Sequence, residues 1–346
     1  MIPPHSPLRV KIDGATLVAN WRWLDRMSGS AACGAAVKAD GYGVGARETV
    51  PRLREAGCRD FFVATWAEAG ALMPLVGEAA LSVLHGVGEE DMPLALASPA
   101  RPVLSTAAQV RRWKSVGRPC DVMVDTGMNR LGVSAREVAD GLLEGLAIDT
   151  LMSHLASADE DAASNARQRD ALIAVAASVP ARRLSLANSA GICLGADYGF
   201  DLTRPGLALY GGIPRAEAAG HIAQVVRVEA QIVQRRRIGA GDSVGYNATF
   251  AADRDHELAI LNIGYADGYL RGFSGTGRAR IGGGFAPVVG RVSMDLTAIC
   301  VDAAPDLAEG DWVELDFDLP GASAQSGLSQ YELLTTLGPR YQHIWT

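Results

Sequence analysis

Short apolar runs alternate with helical patterns over the first two thirds of the chain. The runs are rich in small and β-branched residues, which is typical of strands buried on both faces. They predict eight strands, at residues 34–38, 60–65, 81–85, 102–105, 121–125, 149–154, 184–188 and 207–210. The intervening segments predict helices, which include residues 46–56, 67–75, 107–115, 135–143 and 165–178.

Three of the strand-to-helix joints carry the pattern of a helix capping box, in which a serine or threonine is followed three residues later by Glu or Gln. These pairs are Thr65 with Glu68, Thr106 with Gln109, and Ser134 with Glu137. The eight predicted strands, which alternate with helical segments over roughly 200 residues, predict a (β/α)8 barrel. A doubly wound open sheet is the alternative.

The pattern changes near residue 220. Residues 226–232 alternate with period two, a glycine-rich turn follows at 239–242, and further strand-like runs lie at 258–263, 286–289, 297–301 and 312–317. The sequence therefore predicts a barrel domain at residues 8–220 and a mostly β domain at residues 221–346. The period-two segment 8–12 also fits an edge strand of the β domain.

Composition is that of a globular protein, with 346 residues, 48% hydrophobic and 21% charged. The net charge of -7 argues against non-specific binding to nucleic acid. The five cysteines are odd in number and no two have metal-ligand spacing, so we expect neither a disulfide framework nor a metal site. No signal peptide or long apolar run is evident, and we expect a cytoplasmic protein without membrane contact.

The use of lysine is the first chemical signal. Among 32 lysines and arginines the only lysines are Lys11, Lys38 and Lys114. Lys38 ends the first predicted strand, at the end of a barrel where active sites lie. An amine, unlike a guanidinium, can lose its proton and form a Schiff base. A lysine that simply reaches solvent explains this position equally well.

Other polar residues follow the predicted strands at the same end of the barrel. They are Tyr42, Arg130, His154, Ser189, Arg204 and Gly206. The last two loops of such barrels often hold phosphate, and the hydroxyl of Ser189 and the backbone at Gly206 suit that task. Together these residues predict pyridoxal phosphate bound covalently to Lys38. Taken singly, His154 could be structural, Arg204 could pair with Asp201, and Gly206 and Tyr42 could only form turns.

At this point the sequence resembles the alanine racemase family. Residues 36–43, which read AVKADGYG, are similar to that family's pyridoxal-phosphate attachment motif. Further similar blocks follow in order, at residues 125–132, 187–190, 204–206, 264–268 and 290–295. The resemblance spans about residue 8 to the C-terminus. It implies a barrel plus a β domain, a homodimer with shared active sites, and interconversion of L- and D-alanine that supplies peptidoglycan.

The resemblance also implies residue roles. Lys38 would carry the cofactor and act as one base, and Tyr265 of the partner subunit would be the opposite base. Arg204 would bond to the cofactor's ring nitrogen, and His154 would link it to the tyrosine. The remaining implied roles are phosphate binding by Tyr42, Ser189, Gly206 and Leu207, substrate binding by Arg130 and Met294, and an access corridor with Asp159 and Arg291.

Two positions depart from the family pattern. Many members have a carbamylated lysine where this chain has Met123, and a phosphate-binding tyrosine where it has Pro339, so Tyr341 receives no role. Alternatives on the same fold are a racemase or lyase for another small amino acid such as serine, a non-catalytic carrier of the cofactor, and a decarboxylase. A zinc-dependent lyase would carry a His/Cys pair in the β domain, and no histidine lies two residues before Cys300.

Overall fold

The computed structural model describes residues 5–346 and divides them into two compact units. One unit, the barrel unit, comprises Leu17–Ala223. The other, the β unit, comprises the described residues up to Thr16 together with Gln224–Thr346. The expected barrel boundary at residue 8 differs from this division, which places residues 8–16 with the β unit.

The chain begins with strand β1 (Leu8–Ile12) of the β unit. Helices of the first two thirds of the chain are α1 (Gly14–Met27), α2 (Lys38–Tyr42), α3 (Ala46–Ala56), α4 (Trp66–Val76), α5 (Met92–Ala97), α6 (Ala107–Lys114), α7 (Ala135–Ala139), α8 (Ala163–Ala176) and α9 (Ser189–Cys193). The strands between them are β2 (Ala32–Cys33), β3 (Ala35–Ala36), β4 (Asp60–Val63), β5 (Ala80–Val83), β6 (Arg101–Leu104), β7 (Cys120–Met123), β8 (Ile148–Met152), β9 (Ala181–Ser185) and β10 (Leu202–Thr203).

The last third of the chain is mostly strand. Its strands are β11 (Val226–Ile238), β12 (Ser243–Val244), β13 (Phe250–Ala251), β14 (His256–Leu261), β15 (Arg278–Ile281), β16 (Gly284–Val289), β17 (Thr297–Cys300), β18 (Trp312–Leu315) and β19 (Gln342–Trp345). Two helices, α10 (Leu319–Ser326) and α11 (Gln330–Thr335), lie between the last two strands.

The barrel closes through a short strand that the sequence pattern misplaced. Strands β3–β9 pair in parallel in chain order, and β10 pairs in parallel with β2. The N–H of Asp201 donates to the carbonyl of Leu184 at 3.1 Å, which joins this pair to the β9 side. The (β/α)8 prediction is confirmed, but its eighth strand is β10. The predicted strand at 207–210 is wrong, because Leu207–Tyr210 forms a buried 3-10 helix, and a short apolar run does not distinguish the two.

The capping patterns locate helix starts well. Thr65 with Glu68, and Ser134 with Glu137, form both reciprocal bonds of a capping box. The third predicted box is incomplete, because the side chain of Gln109 accepts from the N–H of Ser105 at 2.8 Å. Helix α7 ends earlier than predicted, before a left-handed glycine at residue 141.

The barrel interior is apolar in the middle and charged at the amino ends of the strands. Met123 packs in a buried cluster with Phe62 and Met152, so the expected position of the family's modified lysine is filled by apolar contacts. Nearer the amino ends, the buried carboxylate of Asp121 accepts from the hydroxyl of Ser82 at 2.6 Å. This end of a barrel contributes stability rather than chemistry.

The β unit contains one large sheet with the order β14-β17-β16-β15-β18-β11-β1-β19. Strand β1 lies between β11 and β19, so the predicted membership in the β domain is right but the edge position is wrong. A register shift between Ile232 and Gln234 lets the long strand β11 pair with β1 and β18 first and with β14 afterwards. Across residues 5–346, no helix is both long enough and apolar enough to span a membrane.

Candidate active site

Lys38 starts a left-handed turn directly after the first barrel strand. Ala39, Asp40 and Gly41 have φ values of 52°, 50° and 64°, and the N–H of Gly43 donates to the carbonyl of Ala39 at 2.8 Å. Left-handed backbone costs roughly 1–2 kcal/mol for each non-glycine residue. Such strain is typical of positions that function constrains.

Glu68 holds this turn in place. One carboxylate oxygen of Glu68 accepts from the N–H of Ala39 at 2.7 Å, and the other accepts from the N–H of Ala64 at 2.7 Å. The same side chain completes the capping box of α4. The sequence indicated the capping role of Glu68. It did not indicate the contact of Glu68 with Ala39, because the two residues are 29 positions apart.

The ammonium group of Lys38 lies in a positive environment. Burial lowers its pKa, and the cations of Arg130 and Arg204 act in the same direction, whereas Glu68 opposes them. A lowered pKa increases the fraction of neutral amine, which is the form that attacks a carbonyl or removes a proton. The predicted grouping of Lys38 with the two arginines is therefore present in the structure.

His154 follows strand β8 and shares these neighbours. Burial, followed by the cations of Arg204, Arg130 and Lys38, lowers the pKa of His154 to about 3. The imidazole is therefore neutral at neutral pH, and one ring nitrogen can donate a hydrogen bond while the other accepts. A neutral histidine suits a linking role better than a charged one would beside three cations.

Arg204 is a buried cation whose partners are uncharged. Its guanidinium donates to the hydroxyl of Ser185 and, at 2.6 Å, to the carbonyl of Ser153. Within residues 5–346 it has no carboxylate at ion-pair distance. The alternative pairing with Asp201 is not formed, and that carboxylate accepts from the N–H of Leu184 at 2.7 Å. Burial lowers the pKa of Arg204 to about 10, so it remains protonated at neutral pH.

The predicted phosphate site is built around Ser189. Its buried hydroxyl oxygen accepts from the N–H groups of Gly206 at 2.9 Å and Ala208 at 3.2 Å. Because both lone pairs are used, the O–H of Ser189 is left to donate to an acceptor such as a phosphate oxygen. A Cβ atom at Gly206 would collide with the hydroxyl of Tyr42. The Tyr42 ring in turn stacks on Tyr210 with centroids 5.0 Å apart.

Arg130 lies in a loop that Asp125 organises. One oxygen of Asp125 accepts from the N–H groups of Gly127 at 2.8 Å, Met128 at 2.9 Å and Asn129 at 3.1 Å. Arg130 is an exposed residue of this compact loop. The sequence marked the arginine but not the aspartate that shapes its loop.

Gln168 is a second residue that the sequence did not indicate. Its buried amide donates to the carbonyl of His154 at 2.9 Å and accepts from the N–H of Ala156 at 2.9 Å. It also lies 3.4 Å from the hydroxyl of Thr126. Gln168 therefore connects the loops that carry Arg130 and His154.

The predicted second base and substrate residue lie together in the β unit. The N–H of Tyr265 donates to the carbonyl of Ser293 at 3.0 Å, and the N–H of Ala266 donates to the carbonyl of Met294 at 3.0 Å. The guanidinium of Arg271 lies 5.2 Å from the centroid of the Tyr265 ring. A cation is attracted to the face of an aromatic ring at this distance, so Arg271 helps to position the Tyr265 ring.

Asp267 connects this segment to the end of the chain. Its carboxylate accepts from the N–H of Gly264 at 3.0 Å and from Arg340 at 2.6 Å, and its carbonyl accepts from the hydroxyl of Tyr341 at 2.9 Å. Tyr341 is buried within the β unit. Its hydroxyl is thus engaged in supporting the Tyr265 segment, a role that the sequence did not assign.

The two predicted corridor residues lie in different units. Asp159 is exposed in a turn after β8 of the barrel unit. Arg291 lines a cavity of about 590 Å³ in the β unit, together with Arg236 and Arg237. Arg291 therefore lies in a pocket of the β unit that two other arginines also line.

The barrel-unit residues fit pyridoxal phosphate. Lys38 would attach it, the O–H of Ser189 and the N–H of Leu207 would bind the phosphate, and Arg204 would meet the ring. The N–H of Gly206, which was also predicted to bind the phosphate, donates to the hydroxyl oxygen of Ser189 in this structure. The observation that supports this fit is the buried, carboxylate-free Arg204, since a buried cation favours an anionic or hydrogen-bond-accepting ligand.

Comparison with known proteins identifies the family. The sequence pattern described as "Alanine racemase, N-terminal domain" matches residues 12–214, and that described as "Alanine racemase, C-terminal domain" matches residues 225–345. An alanine racemase of Acidiphilium cryptum is 43% identical, over 96% of this chain and 97% of that protein. In Agrobacterium fabrum, the biosynthetic alanine racemase is 38% identical over 98% of this chain and 93% of that protein. The catabolic alanine racemase of the same organism is 39% identical over 96% of this chain and 91% of that protein.

A solved structure agrees with the sequence matches. The crystal structure of alanine racemase from Bartonella henselae with covalently bound pyridoxal phosphate superposes with a TM-score of 0.92 at 36% identity, and the match covers 99% of this chain and 100% of that one. Both domains of the family are therefore present in order along nearly the whole chain. The chain belongs to the alanine racemase family.

Proposed function

We propose that this protein interconverts L-alanine and D-alanine with pyridoxal phosphate, using Lys38 and Tyr265 as the two bases. The observation that carries the proposal is the position of Lys38. Its amine has a lowered pKa beside Arg130 and Arg204, and the residue lies just after the first barrel strand, within the residues that resemble the family's attachment motif. The family assignment and the Bartonella structure support alanine and pyridoxal phosphate as substrate and cofactor.

Racemisation requires removal of the α-proton on one face of the amino acid and delivery of a proton on the other. Pyridoxal phosphate supplies an electron-withdrawing ring that makes the α-proton acidic. Lys38 would accept the α-proton on one face as the neutral amine, or return one as the ammonium, and the phenol oxygen of Tyr265 would do the opposite on the other face. The amine of Lys38 ordinarily has a pKa near 10, so burial and the neighbouring arginines, which lower that pKa, assist the reaction at neutral pH.

Arg204 would keep its own proton throughout. Its pKa, although lowered, is about 10, so it donates a hydrogen bond and does not transfer the proton at neutral pH. A ring nitrogen that receives a hydrogen bond but no proton withdraws electrons less strongly. By leaving the ring nitrogen without a proton, Arg204 would disfavour side reactions such as transamination.

The proposal includes a cytoplasmic homodimer in which Tyr265 of the partner subunit completes the site, and a role in supplying D-alanine for peptidoglycan. Five free cysteines are consistent with a reducing compartment. The biosynthetic and catabolic Agrobacterium relatives have nearly equal identity. The biosynthetic role therefore rests on the family resemblance alone.

A racemisation assay tests the function. Purified protein, with and without added pyridoxal phosphate, is given single enantiomers of alanine, serine and other small amino acids, and the loss of circular dichroism is recorded. We expect alanine to be converted fastest and only in the presence of the cofactor. Faster conversion of serine, or no conversion of alanine by cofactor-loaded protein, would contradict the proposal.

We expect Glu68→Gln to lower the pKa of Lys38 further, because it removes the one negative charge that opposes burial and the two arginines. The amine would then be neutral at lower pH, and the pH profile for attachment of pyridoxal phosphate to the apoprotein would move to lower pH. The matched control is Glu137→Gln in the capping box of α7. Both changes should cost roughly 0.3–1.5 kcal/mol of stability. An equal shift of the pH profile in both variants would be inconsistent with a specific effect on Lys38.

We expect Gly206→Ala to weaken binding of pyridoxal phosphate, because the new methyl group collides with the Tyr42 hydroxyl beside the phosphate site. Overpacking costs about 1–3 kcal/mol, which corresponds to roughly 5–150-fold in affinity. The measurement is a spectroscopic titration of the apoprotein. Gly70→Ala is the control, since a Cβ there lies 3.7 Å from Leu94 in ordinary contact. Unchanged affinity in Gly206→Ala would argue against this phosphate site.

A further inference from the structure

Three metal-binding side chains converge at one end of the β14–β17 pair. The antiparallel register places Leu258 opposite Cys300, so His256 lies opposite residue 302 and all three side chains share one face of the sheet. The Nδ1 atom of His256 lies 3.6 Å from the Sγ atom of Cys300 and 2.8 Å from a carboxylate oxygen of Asp302. The ligand atoms of the three residues all lie within 4.8 Å of one another.

These separations suit a tetrahedral ion. Zinc lies about 2.0–2.1 Å from a histidine nitrogen and about 2.3 Å from a thiolate, so tetrahedral N and S ligands are roughly 3.6 Å apart. The observed Nδ1–Sγ distance is 3.6 Å. The Nδ1–oxygen distance is at present that of a hydrogen bond and would widen by roughly half an ångström on binding. The second oxygen of Asp302 accepts from the N–H of Glu257 at 2.7 Å, which keeps the carboxylate at the site.

The other side of the imidazole is also arranged for metal binding. The Nε2 atom of His256 lies 2.9 Å from a carboxylate oxygen of Asp253. If Nε2 carries the proton, the lone pair of Nδ1 faces Cys300 and Asp302. A carboxylate behind a ligand histidine is a common outer contact in zinc sites, because it fixes the ring and its tautomer.

We propose that His256, Cys300 and Asp302 bind one divalent transition-metal ion of the zinc class, with water as the fourth ligand. A mixed nitrogen, sulfur and oxygen ligand set favours zinc over magnesium and calcium, which prefer oxygen alone. The ion would join the start of β14 to the end of β17 and stabilise the β unit. This site is independent of the racemisation proposed above, so either can fail without the other.

A simple ion-pair network is the competing explanation. An imidazolium at His256 could bridge Asp253 and Asp302, and Arg254 lies 3.6 Å from Asp302 as a further cation. In that arrangement the thiol of Cys300 has no metal to bind. The tests must therefore measure the reactivity of the Cys300 thiol as well as the amount of bound metal.

The first test is equilibrium dialysis of the cofactor-loaded full chain, stripped with a chelator, against Zn²⁺. We expect one zinc per chain, with affinity at least tenfold lower in Cys300→Ser and unchanged in Cys193→Ser, a half-buried thiol of the barrel unit. Zinc binding by Cys300→Ser that equals the wild type would overturn the proposal.

The second test uses only the wild-type protein, so it does not depend on whether a variant folds. Cysteines are alkylated and the rate at each position is mapped by mass spectrometry. Zn²⁺ should slow alkylation of Cys300 at least tenfold, Mg²⁺ should not, and Cys193 should react at the same rate throughout. Alkylation of Cys300 that is indifferent to Zn²⁺ would show that the ion-pair network is the correct description.

Discussion

Lys38→Ala is expected to abolish covalent retention of pyridoxal phosphate and to reduce racemisation by roughly 10³-fold or more. A general base alone contributes about 10²–10⁴-fold, and this residue would also carry the cofactor. The lowered pKa of Lys38 and its place after the first barrel strand are the physical basis of this expectation. The measurement is the visible absorption of gel-filtered protein together with the racemisation rate.

Two variants control for charge and for lysine in general. Lys38→Arg keeps a cation but cannot form an imine, so it should be as inactive as the alanine variant. Lys114→Ala changes an exposed lysine in α6 and should behave as the wild type. Retention of a covalent cofactor in either Lys38 variant would exclude Lys38 as the attachment site.

Tyr265→Phe is expected to slow net racemisation by roughly 10²–10⁴-fold, because it keeps the ring and removes one of the two proton carriers. Cofactor binding should be unaffected. Net rates must fall together in both directions, since the two enantiomers are equal in free energy. The asymmetry appears instead in exchange of the α-proton with heavy water. The enantiomer whose α-proton faces Lys38 should continue to exchange, and the other should not.

The matched control for this prediction is Tyr246→Phe, which removes a hydroxyl from an exposed tyrosine of the same unit. It should leave both exchange rates unchanged. The rates are measured by mass spectrometry of alanine recovered from each single enantiomer. If Tyr265→Phe slows exchange of both enantiomers equally, the two bases do not act on opposite faces.

The sequence predicted the barrel because its signals are local. Apolar runs and capping pairs lie within a few residues of each other, and strand ends in a parallel barrel necessarily face one way. Lys38, His154 and Arg204 could be grouped on that basis. The charge of Arg204 lowers the pKa of both other residues, which agrees with the grouping. The eighth strand was missed because β10 has only two residues, whereas the more apolar run 207–210 forms a 3-10 helix.

Contacts between distant positions could not be predicted in the same way. Glu68 bonds to Ala39, Asp267 bonds to Arg340, and His256 approaches Cys300 only because β14 and β17 pair in one particular register. A single sequence contains no local signal for register between strands that are about forty residues apart. The expectation that the chain has no metal site relied on cysteine spacing alone, and such spacing carries no information on the approach of His256 to Cys300 and Asp302.

The left-handed turn after Lys38 illustrates a different limit. Residues 39–41 include only one glycine, at Gly41, yet Ala39 and Asp40 also adopt positive φ. Propensity predicts ordinary backbone there, and the contact of Glu68 with Ala39 helps to hold the strained form. The sequence therefore identified these residues as part of the attachment motif but did not predict their left-handed backbone conformation.

Borohydride reduction followed by peptide mapping gives the sharpest check of the assigned chemistry. Reduction converts an imine between a lysine and pyridoxal phosphate into a stable adduct, and the chain has only three lysines in which to find it. We expect the adduct on Lys38 alone, with Lys11 and Lys114 unmodified. An adduct on either of those lysines, or none at all in cofactor-loaded protein, would contradict the assignment of Lys38 and the two-base racemisation that depends on it.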